Sequence, residues 1–389
     1  MHAGGTEAEV LDWLAERRAA MVMLLERLVN LDSGSHDRAG VTRVGEVLAG
    51  FLAEYGLETE VVPGEQHGDG LTVRLPAAGG RNVPSPVLLL GHRDTVFPAG
   101  EAARRPFRVE GERAFGPGVA DMKAGLVMNA FVMAAFAARG GAPVPLVMLT
   151  TADEEIASPE GRALIEATAQ DARCVFNAEP GRPGGGVVTS RNGGLFCEVE
   201  ITGRAAHSGS SHAKGASAIE AAARKIQALH ALTDYDAGVT VNVGVVAGGE
   251  AVNTVAPFAR FGFDCRFPSR AALAAVEPAL EGIVAREELA GTAARLTGRR
   301  LFLPVEETAR DRKLFEHYAA SSAALGTPAL PAFSGGSADS GFTSALGVPT
   351  LCGTGPVGEH LHTPEEVCHL DTLVPRARAL ALAIMRLEA

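Results

Sequence analysis

Acidic and imidazole side chains recur in this sequence at the ends of apolar runs, and that placement has chemical consequences. The run that ends at Thr150 leads into "TADEE", which sets Asp153, Glu154 and Glu155 side by side. Adjacent like charges cost free energy unless a cation or a set of donors offsets them. Four other stretches repeat the pattern. "VLLLGHRD" ends in His92 and Asp94, "GPGVADMKAG" holds Asp121, "VFNAEPG" holds Glu179, and "GEHLHTPEE" holds His360 and His362. Ligands of open α/β sheets bind outside the carboxyl ends of the strands, so side chains at strand ends are the first candidates for a site.

Each candidate alone has a plainer reading. His92 after a glycine suits a loop, Asp121 suits a helix N-cap, Glu179 before Pro180 suits a turn, and the carboxylate run suits a solvated loop. Together, two histidines and several carboxylates at the mouth of one sheet match the ligand types that zinc accepts. Two divalent ions would offset the crowded negative charge, and a bridging carboxylate holds such a pair about 3.5–4 Å apart. Paired ions acidify a shared water to near-neutral pH. A carboxylate left outside the ligand set then serves as general base and acid. The glycines of "GPG" and "GRPGGG" lack the strand–GxGxxG–helix context of a dinucleotide site, so nucleotide-dependent redox chemistry is not expected.

The elements that must carry these residues follow from hydrophobic spacing. Helical periodicity covers about 6–31 and 40–55. Short buried strands are expected at 87–90, 145–150 and 174–177, with helices at 126–138 and from about Ser158, where Pro159 suits a first helical turn. Strands alternating with helices predict a mostly parallel sheet with helices on both faces. The pattern changes near Arg191. Residues 195–201 alternate as a sheet open on one face does, helices follow at 216–232 and 271–288, and strands at 239–246 and 258–267. That β-α-β-β-α-β order predicts a ferredoxin-like α+β unit. Helix–strand alternation returns after about 302 and ends in a helix from about 370 to 387. The expected organisation is a catalytic α/β domain of 1–190 and 302–389, interrupted by an inserted domain of 191–301.

Composition narrows the function classes. The 389 residues carry a net charge of −11 and no basic stripe, which argues against nucleic acid as a partner. Five scattered cysteines without a CxxC pair argue against a disulfide framework or a thiolate zinc knot. The amphipathic, charged start lacks a secretory pattern, and the apolar runs look too short or too interrupted to span a bilayer. A soluble cytoplasmic protein with no membrane partner is the expectation.

"GHRDTVFP", "FGPGVADMKAG", "TADEE", "NAEPG", "RAAHSG", "GGEAVNTVAP", "FDCRF", "GGSADS" and "HTPEE" occur in this order over nearly the whole chain. The set resembles the di-zinc aminoacylase/glutamate carboxypeptidase family, above all its bacterial glutamate carboxypeptidase branch. The resemblance implies a di-zinc α/β catalytic domain with an inserted α+β lid that also mediates homodimerisation. It implies that Asp121 bridges two zinc ions, with His92 and Glu179 on one and Glu155 and His362 on the other; cobalt or manganese also suits such a site. Glu154 is then the general base, and Asp94 orients the His92 ring. In the lid, His207 is matched to a histidine that polarises the scissile carbonyl across a dimer interface. Asn253 is matched to a substrate contact, and Arg266 to the group that grips a free carboxylate. Gly335 and Gly336 match a glycine-rich loop that lets backbone approach substrate. His360 and His212 receive no role.

The sequence departs from that family at Arg93, expected to point away from the metals, and at Ala338, which bears on the pocket wall. The implied activity is hydrolysis of an amide bond next to a free carboxylate, in N-acyl or N-aroyl amino acids or short peptides. An N-acetyl amino acid deacylase or a dipeptidase is the variant of the same chemistry. A catalytically silent binding homologue is the rival class, and the complete ligand set argues against it.

Overall fold

The strands that were expected to be buried form the centre of one mixed sheet in the computed structural model, which describes residues 5–80 and 83–387. Its strands are β1 (Thr59–Val62), β2 (Gly70–Leu75), β3 (Val87–His92), β4 (Leu146–Thr151), β5 (Cys174–Asn177) and β10 (Thr350–Leu351), in the spatial order β1-β2-β4-β3-β5-β10. The pairs β3–β4, β3–β5 and β5–β10 are parallel, and β2 joins β4 antiparallel. Every residue of β3, β4 and β5 is buried, as strands covered on both faces require. The helix Ala124–Ala138 has an unbroken buried run from Ala124 to Phe136. The span Val119–Ala138 is long and apolar enough to cross a membrane by composition, yet it is packed inside the protein from Val119 to Phe136, as a core helix is.

Two sequence expectations change here. The single helix expected over 6–31 is two, Glu7–Ala15 and Arg18–Val29, separated by a turn at Glu16–Arg17. No glycine or proline marks that break. The helix expected from Ser158 begins at Gly161 instead, because Ala157 and Ser158 adopt left-handed backbone angles (φ 69° and 49°) that no first helical turn can use. Pro159 therefore lies in the connecting turn.

By internal packing the chain divides into two units. One comprises residues 1–190, 307–334 and 339–389; the other comprises 191–306 with the loop 335–338. The inserted unit has its own core around Val199, Phe261, Phe263 and Phe267. Its strands are β6 (Gly193–Thr202), β7 (Thr240–Gly248), β8 (Phe258–Phe267) and β9 (Ala293–Phe302), all antiparallel in the order β7-β8-β6-β9. The helices Ala218–His230 and Arg270–Ala285 start at Ser217 and Ser269, each of which caps its helix through a side-chain oxygen. This strand order and the β-α-β-β-α-β sequence make a ferredoxin-like unit.

Candidate metal centre and active site

Three parallel strands deliver the polar groups. β3 ends in His92, β4 leads into Glu154 and Glu155, and β5 leads to Glu179. Asp121 sits in the turn just before the core helix, and its peptide bond to Met122 is cis. His362 comes from the C-terminal segment, where it and His360 take left-handed angles (φ 63° and 57°).

These side chains form two clusters that share one residue. His92, Asp121 and Glu179 make a fully buried group, and Asp121, Glu155 and His362 make a more open one. Asp121 faces both. Its Oδ1 lies 3.2 Å from His92 Nε2, and its Oδ2 lies 3.2 Å from His362 Nε2. His92 Nε2 is also 3.4 Å from Glu179 Oε1, and His362 Nε2 is 3.2 Å from Glu155 Oε2. Buried oxygens of Glu155 and Glu179 (Oε1 in each) find no hydrogen-bond donor. One such buried oxygen without a good donor in each cluster fits a cation there, and the N/O donor set suits zinc.

The adjacent carboxylates of "DEE" are separated by function. Asp153 turns away and accepts from the N–H groups of Glu160, at 2.7 Å, and Gly161, which begin the next helix. Glu155 joins the open cluster. Glu154 belongs to neither cluster, but its Oε2 lies 3.9 Å from His92 Nε2, close enough to serve the same site. Asp94 does more than the sequence indicated. Its backbone carbonyl, at 3.1 Å, is nearer to His92 Nδ1 than its carboxylate, at 3.3 Å. The carboxylate oxygens instead accept from the N–H groups of Glu154 and Glu155, both at 3.1 Å, and from Ser35 Oγ at 2.7 Å. One aspartate thus fixes the ligand ring and the strand end that carries two carboxylates.

Electrostatics reflect the crowding. Burial, and then the neighbouring negative charge of Asp121, pushes Glu155 up to about 8. Burial drives Glu154 well above the carboxylate range, with Glu179, Asp339 and Glu155 adding to it. Burial opposes ionisation of Asp121, but hydrogen bonds from His362 and His92 hold it below its ordinary value. His362 is held up at about 11, first by its bond to Asp121 and then by Glu155. Asp339, pushed up to about 7 by burial, accepts from Ser158 and, at 3.1 Å, from Thr151 Oγ1. Sequence reasoning missed this aspartate, and also Glu366, since no local signal marks either as buried.

Arg93 points away from the ligands. Its guanidinium donates to Val41 O at 3.2 Å and to Asp69 O. A Cβ at Gly45 would stand 2.2 Å from Arg93 Nη1 and 2.7 Å from Leu71 Cδ1, so glycine there leaves the room the guanidinium occupies.

The remaining candidates lie in the inserted unit. His207 is exposed, and its Nδ1 accepts from the N–H groups of Gly209, at 3.1 Å, and Ser210, at 3.2 Å. That sets Nδ1 as the acceptor and Nε2–H as the outward donor. Asn253 is exposed on the adjoining loop, where its carbonyl accepts from Ser208 N–H at 3.0 Å. Arg266 pairs with Asp264 at 2.9 Å, donates to Ser337 Oγ at 2.9 Å and lies over the Phe196 ring. The carbonyl of Gly336 accepts from Arg191 Nε at 2.8 Å, and a Cβ at Gly335 would meet open space.

A parallel-sheet core whose strand ends gather two imidazole–carboxylate clusters on one aspartate is the architecture of a metallohydrolase. Comparison with known proteins names the class more closely. Peptidase family M20/M25/M40 matches residues 88–386, and the chain belongs to that family. Carboxypeptidase G2 of Pseudomonas sp. (strain RS-16) is 27% identical over 96% of this chain and 91% of its own length. Acetylornithine deacetylase of Salmonella arizonae is 31% identical over 57% of this chain and 59% of its own. Among solved structures, the M20 family metallo-carboxypeptidase Sso-CP2 of Sulfolobus solfataricus shares the fold. It has a TM-score of 0.77 at 16% identity, over 94% of this chain and 98% of that one. Membership of that family makes the chain a metallopeptidase/amidohydrolase of the carboxypeptidase type, whose chemistry is amide-bond hydrolysis.

Proposed function

We propose that this enzyme holds two zinc ions and cleaves the amide bond adjacent to a free carboxylate in N-acyl or N-aroyl amino acids or short peptides. One observation carries the two-ion reading: the two oxygens of Asp121 each face a separate histidine–carboxylate cluster at 3.2 Å. Bound there, two divalent ions supply Lewis acidity and an acidified water. His92 and Glu179 would hold one and Glu155 and His362 the other, with Asp121 available to each. Cobalt or manganese fits the same donors.

Glu154 takes the proton from the attacking water and returns it to the leaving amine, a task suited to a buried carboxylate with a raised pKa. His207 directs Nε2–H at the carbonyl oxygen and stabilises the negative charge that grows there. Arg266, stacked on Phe196 and braced by Asp264, grips the substrate carboxylate. Asn253 and the Gly335–Gly336 backbone complete the substrate contacts. The likeness to acetylornithine deacetylase supports an N-acetyl amino acid substrate as the second reading.

The enzyme acts as a homodimer through the inserted unit. In support, β7 is an edge strand with exposed Val245 and Val246, surface that pairing with a second copy would cover. A cytoplasmic location suits five cysteines that are all buried thiols.

Purified zinc-loaded protein tested on N-acyl and N-aroyl amino acids varied at both ends checks the substrate class. Hydrolysis should stop with chelator and should require the free carboxylate. Equal cleavage of carboxamide-blocked analogues would refute the role of Arg266, and activity that survives removal of metal would refute the whole mechanism.

A further inference from the structure

Glu366 is fully buried, and nothing in the mechanism above uses it. It stands four residues after His362. Its Oε1 accepts from the N–H of Ala120 at 2.8 Å and of Asp121 at 3.0 Å, and its Oε2 accepts from the N–H of Gly118 at 3.1 Å. A carboxylate removed from water must be repaid with strong donors. Here all three come from the turn that carries the shared aspartate. Lys123, also buried, adds a positive charge to the same turn and donates to Leu31 O and Pro117 O. At the other end, Glu366 N–H bonds to Thr363 O at 3.2 Å, and Thr363 Oγ1 donates to His360 O at 2.7 Å. One short segment therefore offers an imidazole to the open cluster and, four residues later, clamps the backbone of the bridging ligand.

We propose that Glu366 is a positioning residue of the metal centre. By holding the Asp121 turn in register with His362, it sets how the shared carboxylate meets both ions. Glu366 itself ligates nothing; it acts through the peptide groups of Gly118, Ala120 and Asp121. The proposal rests on the two-ion reading. In Glu366→Gln an acceptor oxygen becomes an NH2 group facing a backbone N–H, so at least one turn N–H loses its partner while the side-chain volume is kept. Supporting groups of this kind are worth about 10–100-fold in metal affinity.

The test uses the full chain, stripped of metal and titrated with zinc against a chromophoric chelator, together with the visible spectrum of the cobalt-loaded form. Wild type should take up two ions. Glu366→Gln should bind at least one of them about 10–100-fold more weakly and show an altered cobalt spectrum. Should Glu366→Gln fail to fold, Glu366→Asp, which keeps the charge on a shorter stem, carries the test with the same readouts and the same expected direction. A variant that unfolds at lower temperature but binds zinc with wild-type affinity and an unchanged cobalt spectrum overturns the proposal, leaving the two-ion reading intact. A wild type that binds fewer than two ions overturns both.

Discussion

His92 and His362 stand at the same 3.2 Å from their own oxygens of Asp121, yet their surroundings are opposite. The side chain of His92 is 2% exposed and that of His362 is 50% exposed. His92 closes a buried parallel strand, and its Nδ1 is anchored by Asp94. His362 comes from an irregular segment with left-handed backbone. The enclosed cluster is built like a structural site, with its ring orientation fixed from behind. The open cluster faces solvent, where substrate and water must arrive. The contrast teaches that one aspartate can join an enclosed cluster to an open one; on the two-ion proposal, the ion held beside His362 should be the one that exchanges more readily.

The largest effect on this picture should come from the residue the two halves share. Asp121→Ala is expected to lose both ions and reduce hydrolysis to background, measured by metal content and turnover together. Retention of one tightly bound ion would show that the halves are independent. Next is Glu154→Gln, which should keep two ions and cut kcat by at least about 100-fold. A near-normal rate would remove Glu154 from the proton-transfer role. His92→Ala and His362→Ala then separate the halves. Loss of His362 should weaken one ion and lower the unfolding temperature of the metal-free protein only by what its solvent-screened ion pairs with Asp121 and Glu155 contribute. Loss of His92 should weaken metal binding and also lower that temperature, because it empties a buried position. Equal behaviour of the two variants would erase the distinction between closed and open clusters. Smaller again, Arg266→Ala should raise KM about 10–100-fold, the worth of a hydrogen-bonded charge contact, with kcat less affected. Steady-state kinetics on a substrate with a free carboxylate reads that split directly.

A pH effect follows on the open side. Asp121 and Glu155 hold the His362 imidazole protonated up to about 11 when no metal is bound. A ligating imidazole must be neutral and a ligating carboxyl deprotonated, so at pH 7 each uptake event on that side expels at least one proton, and affinity rises with pH. Calorimetry in buffers of different ionisation enthalpy would detect the release; metal binding with no proton exchange would contradict it.

The same contrast explains what the sequence could and could not reveal. His92, Glu154, Glu155 and Glu179 are legible because each follows a buried apolar strand, and strands point their carboxyl ends at a common edge. The ferredoxin-like unit is legible because alternation in "LFCEVEI" marks a sheet with one covered face. The strands β1 and β2 went unread, since β1 is short and largely exposed and glycine flanks β2. Pro159 misled the helix start because Asp153, not a residue next to the proline, caps the helix at Gly161. Glu366 was invisible for a different reason. Its partners lie about 245 residues earlier, and burial of a carboxylate on backbone N–H groups leaves no pattern in composition or spacing.

Zinc soaked into crystals of the metal-stripped protein, with anomalous scattering recorded at the zinc edge, tests the central claim most directly. Two peaks about 3.5–4 Å apart should appear, one on each oxygen of Asp121, with the peak beside His362 losing occupancy first as zinc is lowered. A single ion, or two ions that do not share Asp121, would contradict the account.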